Sequence, residues 1–452
     1  MNKKQRTLPR ISALLLAIVL LISMLSGCNP SSSGGTTGGN SGGALTNDAL
    51  LGPNSVVIRL AEDKSIPEFD TTPFANVEIC FNAYYYTALP DNATLLANTK
   101  AAFEEFCSHV DKTDKAAVTH ALIDCYIYAI GDVYAFFRNS EELEDYNADM
   151  GGSFVGIGVS VIRNNLENTI LVTSTEPDSP AREAGIMPDD YIIAVDGALV
   201  SEIGAKNAVD KIKGEIGTKV VVTVLRGDEE IDFELTRALI TETFVTYEFL
   251  EGTKIAYIKI KSFKGDDENN TAIQFRNAIT FAETNSAEGI IFDVRSNPGG
   301  YLHLVVDMLS YLVPNETPIA SFSSSKSPIF AENDGTYDSI PYDHVLKIPS
   351  VVICDKNSAS AAELFAGALR DYNEMGILNS SSVGQITYKK GIMQSTISFK
   401  DGSALTLTTA LYNPPLGENF HGVGVTPNVL AGEDDDFITL ALAELEKITA
   451  EK

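Results

Sequence analysis

A serine-rich turn in the C-terminal half of the chain carries the first residues that could do chemistry. The apolar residues 351–354 predict a buried strand and residues 361–369 predict a helix, with Ser358 and Ser360 between them. A serine at such a turn lies beside the N–H groups of a helix N-terminus, which can stabilise an oxyanion. The pattern predicts a serine nucleophile, and a simple N-cap serine is the alternative.

A serine nucleophile needs a base, and two residues are candidates. Lys390 can accept a proton only as a neutral amine, a state that burial away from anions favours. Gln394 could orient that amine without adding a charge, whereas a carboxylate there would favour the ammonium. His421 is the other candidate, because it alone of the five histidines lies late in the chain near other motif-like residues.

A glycine turn could supply a further N–H group. Gly299 and Gly300 follow a second predicted buried strand at residues 289–294. Two glycines there allow a tight turn with inward-facing N–H groups, and so a second oxyanion donor. An ordinary turn between a strand and a helix is the alternative.

A second glycine-containing loop, Gly156-Ile157-Gly158-Val159, opens a β-rich stretch. The backbone N–H groups of such a loop can hold a terminal carboxylate, and the adjacent strand can pair with an extended peptide. With the segments that follow it, the loop resembles a PDZ domain of the bacterial type. Those segments are residues 179–186, 188–190 and 195–197. A β-module with a purely structural glycine loop is the alternative.

The elements that must position these residues differ along the chain. Apolar residues at helical spacing predict helices between about residues 74 and 150. Short strands and turn residues predict a β-rich module from 151 to 240. From residue 241 onward strands alternate with helices, which predicts a layered α/β core that ends in a helix at residues 437–445.

The N-terminus predicts export. Residues 1–10 are basic without an acid, and residues 11–25 form an apolar run that is short for a bilayer-spanning helix of ~20 residues. The run ends in Leu-Ser-Gly-Cys28, which resembles the bacterial lipobox, in which the cysteine is lipidated. We therefore expect a signal peptide at residues 1–27 and a lipidated, flexible tether at 28–53. An uncleaved membrane anchor is the alternative, and both place the remainder outside the cytoplasm.

Charge and cysteines exclude several classes of protein. The chain of 452 residues has 33 Lys plus Arg against 61 Asp plus Glu, a net charge of -28, which argues against nucleic-acid binding. Removal of the signal peptide takes away four basic residues and no acid, so the net charge becomes -32. The remaining cysteines match no metal-binding spacing, and no metal or cofactor is predicted. Cys354 is expected in the core, and a disulfide among Cys80, Cys107 and Cys125 is left open.

Five motifs in a fixed order, together with the PDZ-like module, resemble the carboxyl-terminal processing peptidases, also called tail-specific proteases. The motifs are residues 293–300, 358–363, 390–394, 401–410 and 421–427. The resemblance extends from about residue 132 to residue 430. It implies a crotonase-like (ClpP/crotonase-type) α/β protease core, an inserted PDZ domain and a Ser-Lys dyad.

The resemblance also implies roles for individual residues. Ser360 would be the nucleophile, Lys390 its base and Gln394 the residue that orients Lys390. Some family members have a glutamate at the place of Glu363, which makes it a second candidate for orienting the amine. Lys389 departs from the family, which usually has glycine there, and this extra cation could favour a neutral Lys390 or crowd the site.

Two sets of backbone N–H groups complete the implied sites. The N–H of Ala361, with that of Gly299 or Gly300, would form the oxyanion hole. The loop Gly156 to Val159 would hold the carboxylate of the substrate.

The expected architecture is a helical region at 54–150, a PDZ domain at 151–240 and an α/β peptidase core at 241–452. The expected function is a lipid-anchored serine endopeptidase on the outer face of the bacterial cytoplasmic membrane. Its partners would be proteins or peptides with free, apolar C-termini. A homo-oligomer is left open. The alternatives are a catalytically inactive PDZ-bearing lipoprotein scaffold and a hydrolase that pairs Ser360 with His421.

Overall fold

A computed structural model describes residues 51–108, 110–164, 169–324, 336–417 and 419–450. The predicted signal peptide, Cys28 and nearly all of the tether lie outside these residues. No helix in the described ranges is both long and apolar enough to cross a bilayer. The chain divides into two compact units. The first unit comprises the described parts of Met1–Tyr146, Tyr247–Phe263 and Phe275–Lys452, and the second comprises Asn147–Thr246 and Lys264–Gln274. The domain boundaries proposed from the sequence stay predictions.

Helices dominate the N-terminal part of the first unit. The N-terminal elements are α1 (Val56–Glu62), α2 (Thr71–Tyr84), α3 (Asn92–Phe106), α4 (Lys115–Ile130), β1 (Phe136–Arg138) and α5 (Ser140–Met150). Helices α1 to α4 each begin at a side chain that accepts a hydrogen bond from the first turn. These caps are Ser55, Asp70, Asp91 and Asp114. The buried faces of the four helices form one core that includes Leu405 and Leu407 from the C-terminal part of the chain.

The cysteines of the described residues are free thiols, and all of them are buried. The Sγ atoms of Cys107 and Cys125 lie 3.6 Å apart, within hydrogen-bonding distance of each other. Burial raises the pKa of both thiols. Cys354 lies in the core, as predicted. The disulfide that the sequence left open is therefore not formed among the described residues.

The second unit is a small antiparallel β module. Its elements are β2 (Ser153–Gly156), β3 (Val159–Asn164), β4 (Thr169–Thr175), α6 (Pro180–Ala184), β5 (Tyr191–Val195), β6 (Ala198–Leu199), α7 (Val200–Ile203), α8 (Ala205–Ile212), β7 (Lys219–Arg226), β8 (Glu229–Thr236) and β9 (Ala238–Thr241). The main sheet has the order β3-β4-β5-β7-β8, with β6 paired to β5, and β2 pairs separately with β9. Strand β3 is thus an edge strand of the sheet, and α8 contacts it.

One buried arginine holds α8 in place. The guanidinium of Arg237 donates to the carbonyl oxygens of Lys211 and Ile212, at 2.7 and 2.9 Å, at the C-terminus of the helix. It also donates to the carbonyl oxygen of Lys219 in β7, at 2.8 Å. A cation at this end of a helix complements its dipole and satisfies carbonyls that the helix leaves unpaired. Arg237 therefore fixes the helix that borders the open edge of β3.

We expect Arg237→Met to weaken this attachment, because methionine keeps the apolar stem and loses every donor. Protection of the α8 amides in hydrogen exchange of the full chain should fall about 100-fold, or ~3 kcal/mol. Lys219→Met is the matched control, since it removes only an exposed ion pair with Glu234. Its effect should stay below about 0.5 kcal/mol. Equal protection in both variants would contradict the role of Arg237.

The C-terminal part of the chain, most of which belongs to the first unit, is built from strands and helices in alternation. Its elements begin with β10 (Val245–Phe249), β11 (Ile255–Ile260), α9 (Thr271–Thr284), β12 (Gly289–Asp293), α10 (Leu302–Leu312), β13 (Pro318–Ser323), β14 (Thr336–Asp338) and β15 (Ser350–Cys354). They continue with α11 (Ala361–Glu374), β16 (Ser380–Gly384), β17 (Ile392–Ser398), β18 (Ala404–Asn413), β19 (Val429–Leu430) and α12 (Phe437–Ala450). Each strand and helix predicted in this region is present.

Two sheets organise this part of the chain. Strands β11, β12, β15, β16 and β19 are parallel neighbours in that order, with β10 beside β11. Strands β12, β15 and β16 are buried along their whole length, as expected for a parallel sheet covered on both faces. The second sheet has the order β1-β18-β13-β14, and β17 pairs with β18. The carboxyl ends of the parallel strands meet at one edge, where ligand sites of such sheets form.

Candidate active site

Three loops meet at the carboxyl edge of the parallel sheet, after β12, β15 and β16. Asn297, in the first loop, links its neighbours through three hydrogen bonds. Its carbonyl oxygen accepts from Ala359 N at 2.9 Å, and its Nδ2 donates to the carbonyl oxygen of Ile260 at 2.9 Å. Its Oδ1 accepts from Gly299 N at 2.8 Å. Asn297 is fully buried, so these bonds fix the first loop against the turn that carries the serines.

The two serines of that turn have different roles. The Oγ of Ser358 donates to the carbonyl oxygen of Val294 at 2.7 Å and accepts from Asp355 N at 2.9 Å, with no exposed surface. Ser358 is therefore a structural residue of the turn. Ser360 stands immediately before α11, with φ at 56° and ψ at -117°. This conformation is costly for a residue other than glycine, and such strain occurs mainly at functional sites.

A buried carboxylate connects Ser360 to the segment of the predicted base. One oxygen of Glu363, Oε2, accepts from Ser360 N at 2.8 Å and from Lys390 N at 2.7 Å. The other, Oε1, accepts from Lys389 N at 2.7 Å and from the hydroxyl of Thr387. Burial raises the pKa of Glu363, and these hydrogen bonds oppose the shift. The backbone nitrogens of Ser360 and Lys390 thus share one oxygen atom.

The amine of Lys390 is placed by a different side chain. Lys390 is 1% exposed, and its Nζ donates to Oε1 of Gln394 at 2.8 Å. The Nε2 of Gln394 donates in turn to the carbonyl oxygen of Tyr134. The Lys390 Nζ lies 4.9 Å from the centre of the Tyr134 ring. The sequence left Gln394 and Glu363 as alternatives for orienting the amine. Gln394 contacts it, whereas Glu363 accepts hydrogen bonds from three backbone N–H groups and a hydroxyl.

The oxyanion donors named from the sequence stay a prediction. The N–H of Gly299 donates to Oδ1 of Asn297 at 2.8 Å, so we favour Gly300 of the two glycines. Gly299 is required for a different reason. A Cβ atom on Gly299 would lie 2.8 Å from the Cβ of Ser360, and its φ is 97°. Ala361 is the first residue of α11, so its N–H has no acceptor within the helix.

Three residues near Ser360 and Lys390 were missed by sequence reasoning. The buried carboxylate of Asp132 accepts from Tyr134 N at 3.0 Å and from Thr408 N at 3.1 Å, and burial raises its pKa. Burial also raises the pKa of Tyr134, to about 12. The hydroxyl of Tyr412 donates to Oγ of Ser360 at 3.4 Å. No local pattern points to them, because they reach the site from α4–β1 and from β18.

His421 is the other candidate base, and within the described residues it makes no hydrogen bond to the candidate nucleophile. Its pKa is lowered by burial, although a hydrogen bond with the backbone of Lys389 opposes the shift. In the part of the chain that the structure describes, the buried Nδ1 of His421 has no hydrogen-bond partner. No hydrogen bond joins His421 to Ser360 among those residues.

The loop predicted to hold a carboxylate lies in the second unit, between β2 and β3. The carbonyl oxygens of Ile157 and Gly158 accept from Ala181 N and Glu176 N, each at 2.9 Å. Gly158 has φ at 78°, and a Cβ there would lie 2.3 Å from the Cβ of Ser179. The loop is thus held by its carbonyl groups and leads directly into the open edge of β3. Binding of a carboxylate by this loop stays a prediction.

Two regions of the chain are similar to known protein families. Residues 254–431 match Peptidase family S41, and residues 155–236 match the PDZ domain family. The predicted family resemblance is confirmed. A "Probable CtpA-like serine protease" of Staphylococcus aureus (strain COL) is 32% identical over 320 residues, which cover 70% of this chain and 61% of that protein. The protein of the same name from Staphylococcus haemolyticus (strain JCSC1435) is 31% identical over 319 residues, 70% of this chain and 60% of that one.

The chain thus spans about three-fifths of the length of the curated relatives it matches. Among solved structures, it is similar to the photosystem II D1 C-terminal processing protease, with a TM-score of 0.48 and 21% identity over 79% of this chain and 91% of that one. A putative S41 protease from Bacteroides fragilis NCTC 9343 matches with a TM-score of 0.44 and 16% identity, over 66% of this chain and 84% of that one.

Lys389, where the family usually has glycine, has φ at 84° and an exposed side chain. The exposed side chain argues against crowding of the site. We expect Lys389→Gly to relieve the strain and raise the free energy of unfolding by about 0.5–1 kcal/mol. Calorimetric unfolding of the full chain measures this change. Lys400→Gly, an exposed lysine outside the positive-φ set, is the matched control and should lower stability by a similar amount. A loss of stability in both variants would refute the strain at Lys389.

Proposed function

We propose that the protein is a serine endopeptidase that recognises the C-terminal tails of proteins and cleaves them with a dyad of Ser360 and Lys390. The observation that carries this proposal is the shared Glu363 oxygen, which holds Ser360 N and Lys390 N together. The family matches support the same activity, because the S41 region contains both residues and the matched relatives are named serine proteases.

The residues suggest a simple course for the reaction. The Oγ of Ser360 attacks the carbonyl carbon of the substrate, and its proton passes to the neutral amine of Lys390. The N–H groups of Ala361 and Gly300 hold the oxyanion. Lys390 then returns the proton to the leaving amine as the C–N bond breaks. A water molecule next attacks the acyl ester, with Lys390 again as base, and releases the acid and the serine hydroxyl.

The neutral side chain of Gln394 suits this chemistry. An amide oxygen accepts a hydrogen bond from Lys390 without the charge that would hold the amine protonated. The side chain of Lys390 is also almost fully buried, and burial disfavours the charged form of an amine. The surroundings of Lys390 therefore favour a base more than a permanent ammonium.

The second unit would supply the recognition of tails. A substrate would add a strand to the edge of β3 beside α8, and its carboxylate would bind the N–H groups of the loop at 156–159. The net charge of -28 disfavours acidic tails, so we infer a preference for apolar, weakly charged C-termini. We also propose that the α/β core has a crotonase-like fold.

We further propose that the signal peptide is cleaved before Cys28, that Cys28 is lipidated and that the enzyme acts on the outer face of the cytoplasmic membrane. The sequence pattern of residues 1–28 supports this placement. The long polar stretch of Ser, Gly, Thr and Asn after Cys28 supports a tether between anchor and enzyme.

The dyad is tested by Ser360→Ala and Lys390→Ala against a peptide with an apolar C-terminus. Each should lower kcat by at least ~10³-fold, because a nucleophile or its base is lost.

Gln394→Glu is nearly isosteric and places an anion beside the amine, so activity should appear only at a higher pH than in the wild type. The pH profile of kcat/KM for each variant is the measurement.

Other outcomes identify the alternatives. Full activity of either alanine variant would refute the proposal that Ser360 and Lys390 form a catalytic dyad. Activity that survives in Lys390→Ala and disappears in His421→Ala would indicate a histidine base. A wild-type protein that neither cleaves peptides nor reacts with a fluorophosphonate probe would be a non-catalytic scaffold.

Recognition of the tail is tested by amidation of the substrate's C-terminus. The amide loses the charge that the loop at 156–159 would bind, so kcat/KM should fall about 10- to 100-fold. A peptide with one side-chain carboxylate amidated near its N-terminus is the matched control and should behave like the parent peptide. Equal cleavage of all three peptides would refute the proposal that the loop binds the terminal carboxylate.

A further inference from the structure

Tyr412 brings a hydroxyl group to the proposed dyad from the end of β18. The side chain is buried, and its hydroxyl oxygen lies 3.4 Å from Oγ of Ser360 and 3.3 Å from the carbonyl oxygen of Lys390. One group thus contacts the reacting atom of the nucleophile and the backbone of the base.

The segment around the base fixes the position of the ring. The ring of Tyr412 packs edge-on against Phe420, with centroids 5.3 Å apart and an angle of 77° between planes. Its backbone N–H donates to the carbonyl oxygen of Gly391 at 3.2 Å. Its carbonyl oxygen accepts from Nδ2 of Asn419 at 2.7 Å. The hydroxyl is therefore held in place before any substrate binds.

The chemistry of the two contacts is unequal. A phenol hydroxyl has one hydrogen to donate, and the carbonyl of Lys390 can only accept it. The Oγ of Ser360 becomes a much stronger acceptor as its own proton leaves for the amine. The hydrogen of Tyr412 is then directed to the oxygen on which negative charge grows, and the long contact of the resting state shortens.

We propose that Tyr412 is a further catalytic residue, which donates a hydrogen bond to Oγ of Ser360 and stabilises its negative charge. This inference rests on the proposed dyad. The charge appears on Oγ twice, during attack on the peptide and again when Oγ leaves the acyl carbon. The phenol keeps its proton in both steps, so it acts on the nucleophile and is separate from the oxyanion hole.

The experiment compares Tyr412→Phe with Tyr372→Phe in the full chain. Both remove a buried hydroxyl, but that of Tyr372 donates to the carbonyl oxygen of Pro318, at 3.0 Å, in a contact separate from the dyad. We expect Tyr412→Phe to lower kcat about 10- to 100-fold with KM within twofold, since a hydrogen bond to a charged group is lost. The rate at which a fluorophosphonate labels Ser360 should fall by the same factor. Tyr372→Phe should leave both rates within twofold.

A second measurement separates catalysis from packing. Replacement of Tyr412 by 3-fluorotyrosine and by 3,5-difluorotyrosine makes the phenol a stronger donor with little change of shape. The kcat measured at a pH where the phenol stays protonated should rise with each fluorine. A purely structural hydroxyl would give the same kcat throughout, and that result overturns the inference.

The controls separate failure of this inference from failure of the proposed function. If Ser360→Ala still cleaves, the proposed function is wrong. If Ser360→Ala is inactive while Tyr412→Phe matches the wild type in kcat and labelling, only the role of Tyr412 is wrong. If the wild type neither cleaves nor is labelled, both fail.

Discussion

The arrangement of the site depends on the buried carboxylate of Glu363. Its two oxygens receive hydrogen bonds from Ser360 N, Lys389 N, Lys390 N and the hydroxyl of Thr387. These donors come from the turn after β15 and the loop after β16. Parallel strands bring the two loops to the same edge of the sheet, and the carboxylate then fixes the distance between them.

The same carboxylate explains two strained residues. Ser360 and Lys389 both have positive φ, at 56° and 84°, and both donate their N–H to Glu363. A positive φ is unfavourable for residues other than glycine, by about 1–2 kcal/mol. Charge-assisted hydrogen bonds in a buried site are strong enough to offset such a cost. Glu363 is thus a structural centre whose oxygens are occupied by the backbone.

The hydrogen-bond acceptor of the Lys390 amine is an uncharged side chain. Gln394 contacts Nζ, and the ring of Tyr134 lies beside it. The acid that organises the backbone and the amide that orients the amine are different residues. The chain therefore combines a strong hydrogen-bond acceptor for the backbone with an uncharged acceptor for the amine.

The sequence by itself determined the elements and the chemical types. The apolar runs at β12 and β15 predicted buried strands, because apolar side chains are more stable in the core than in water. The order of the motifs indicated the family, and residues such as Ser360, Lys390 and Gln394 were candidates from local patterns alone. These conclusions depend only on the types and spacing of residues that are close together in the sequence.

Only the tertiary structure decided which groups meet. It showed that the hydroxyl of Ser358 is bonded within the turn and that the amine of Lys390 donates to Gln394. It also showed that the N–H of Gly299 donates to the side chain of Asn297. It also brought Asp132 and Tyr412 to the site from distant parts of the chain. The physical reason is that hydrogen bonds are chosen by distance and direction. Sequence spacing fixes these within a turn or a helix, whereas loops from different strands acquire them only when the sheet forms.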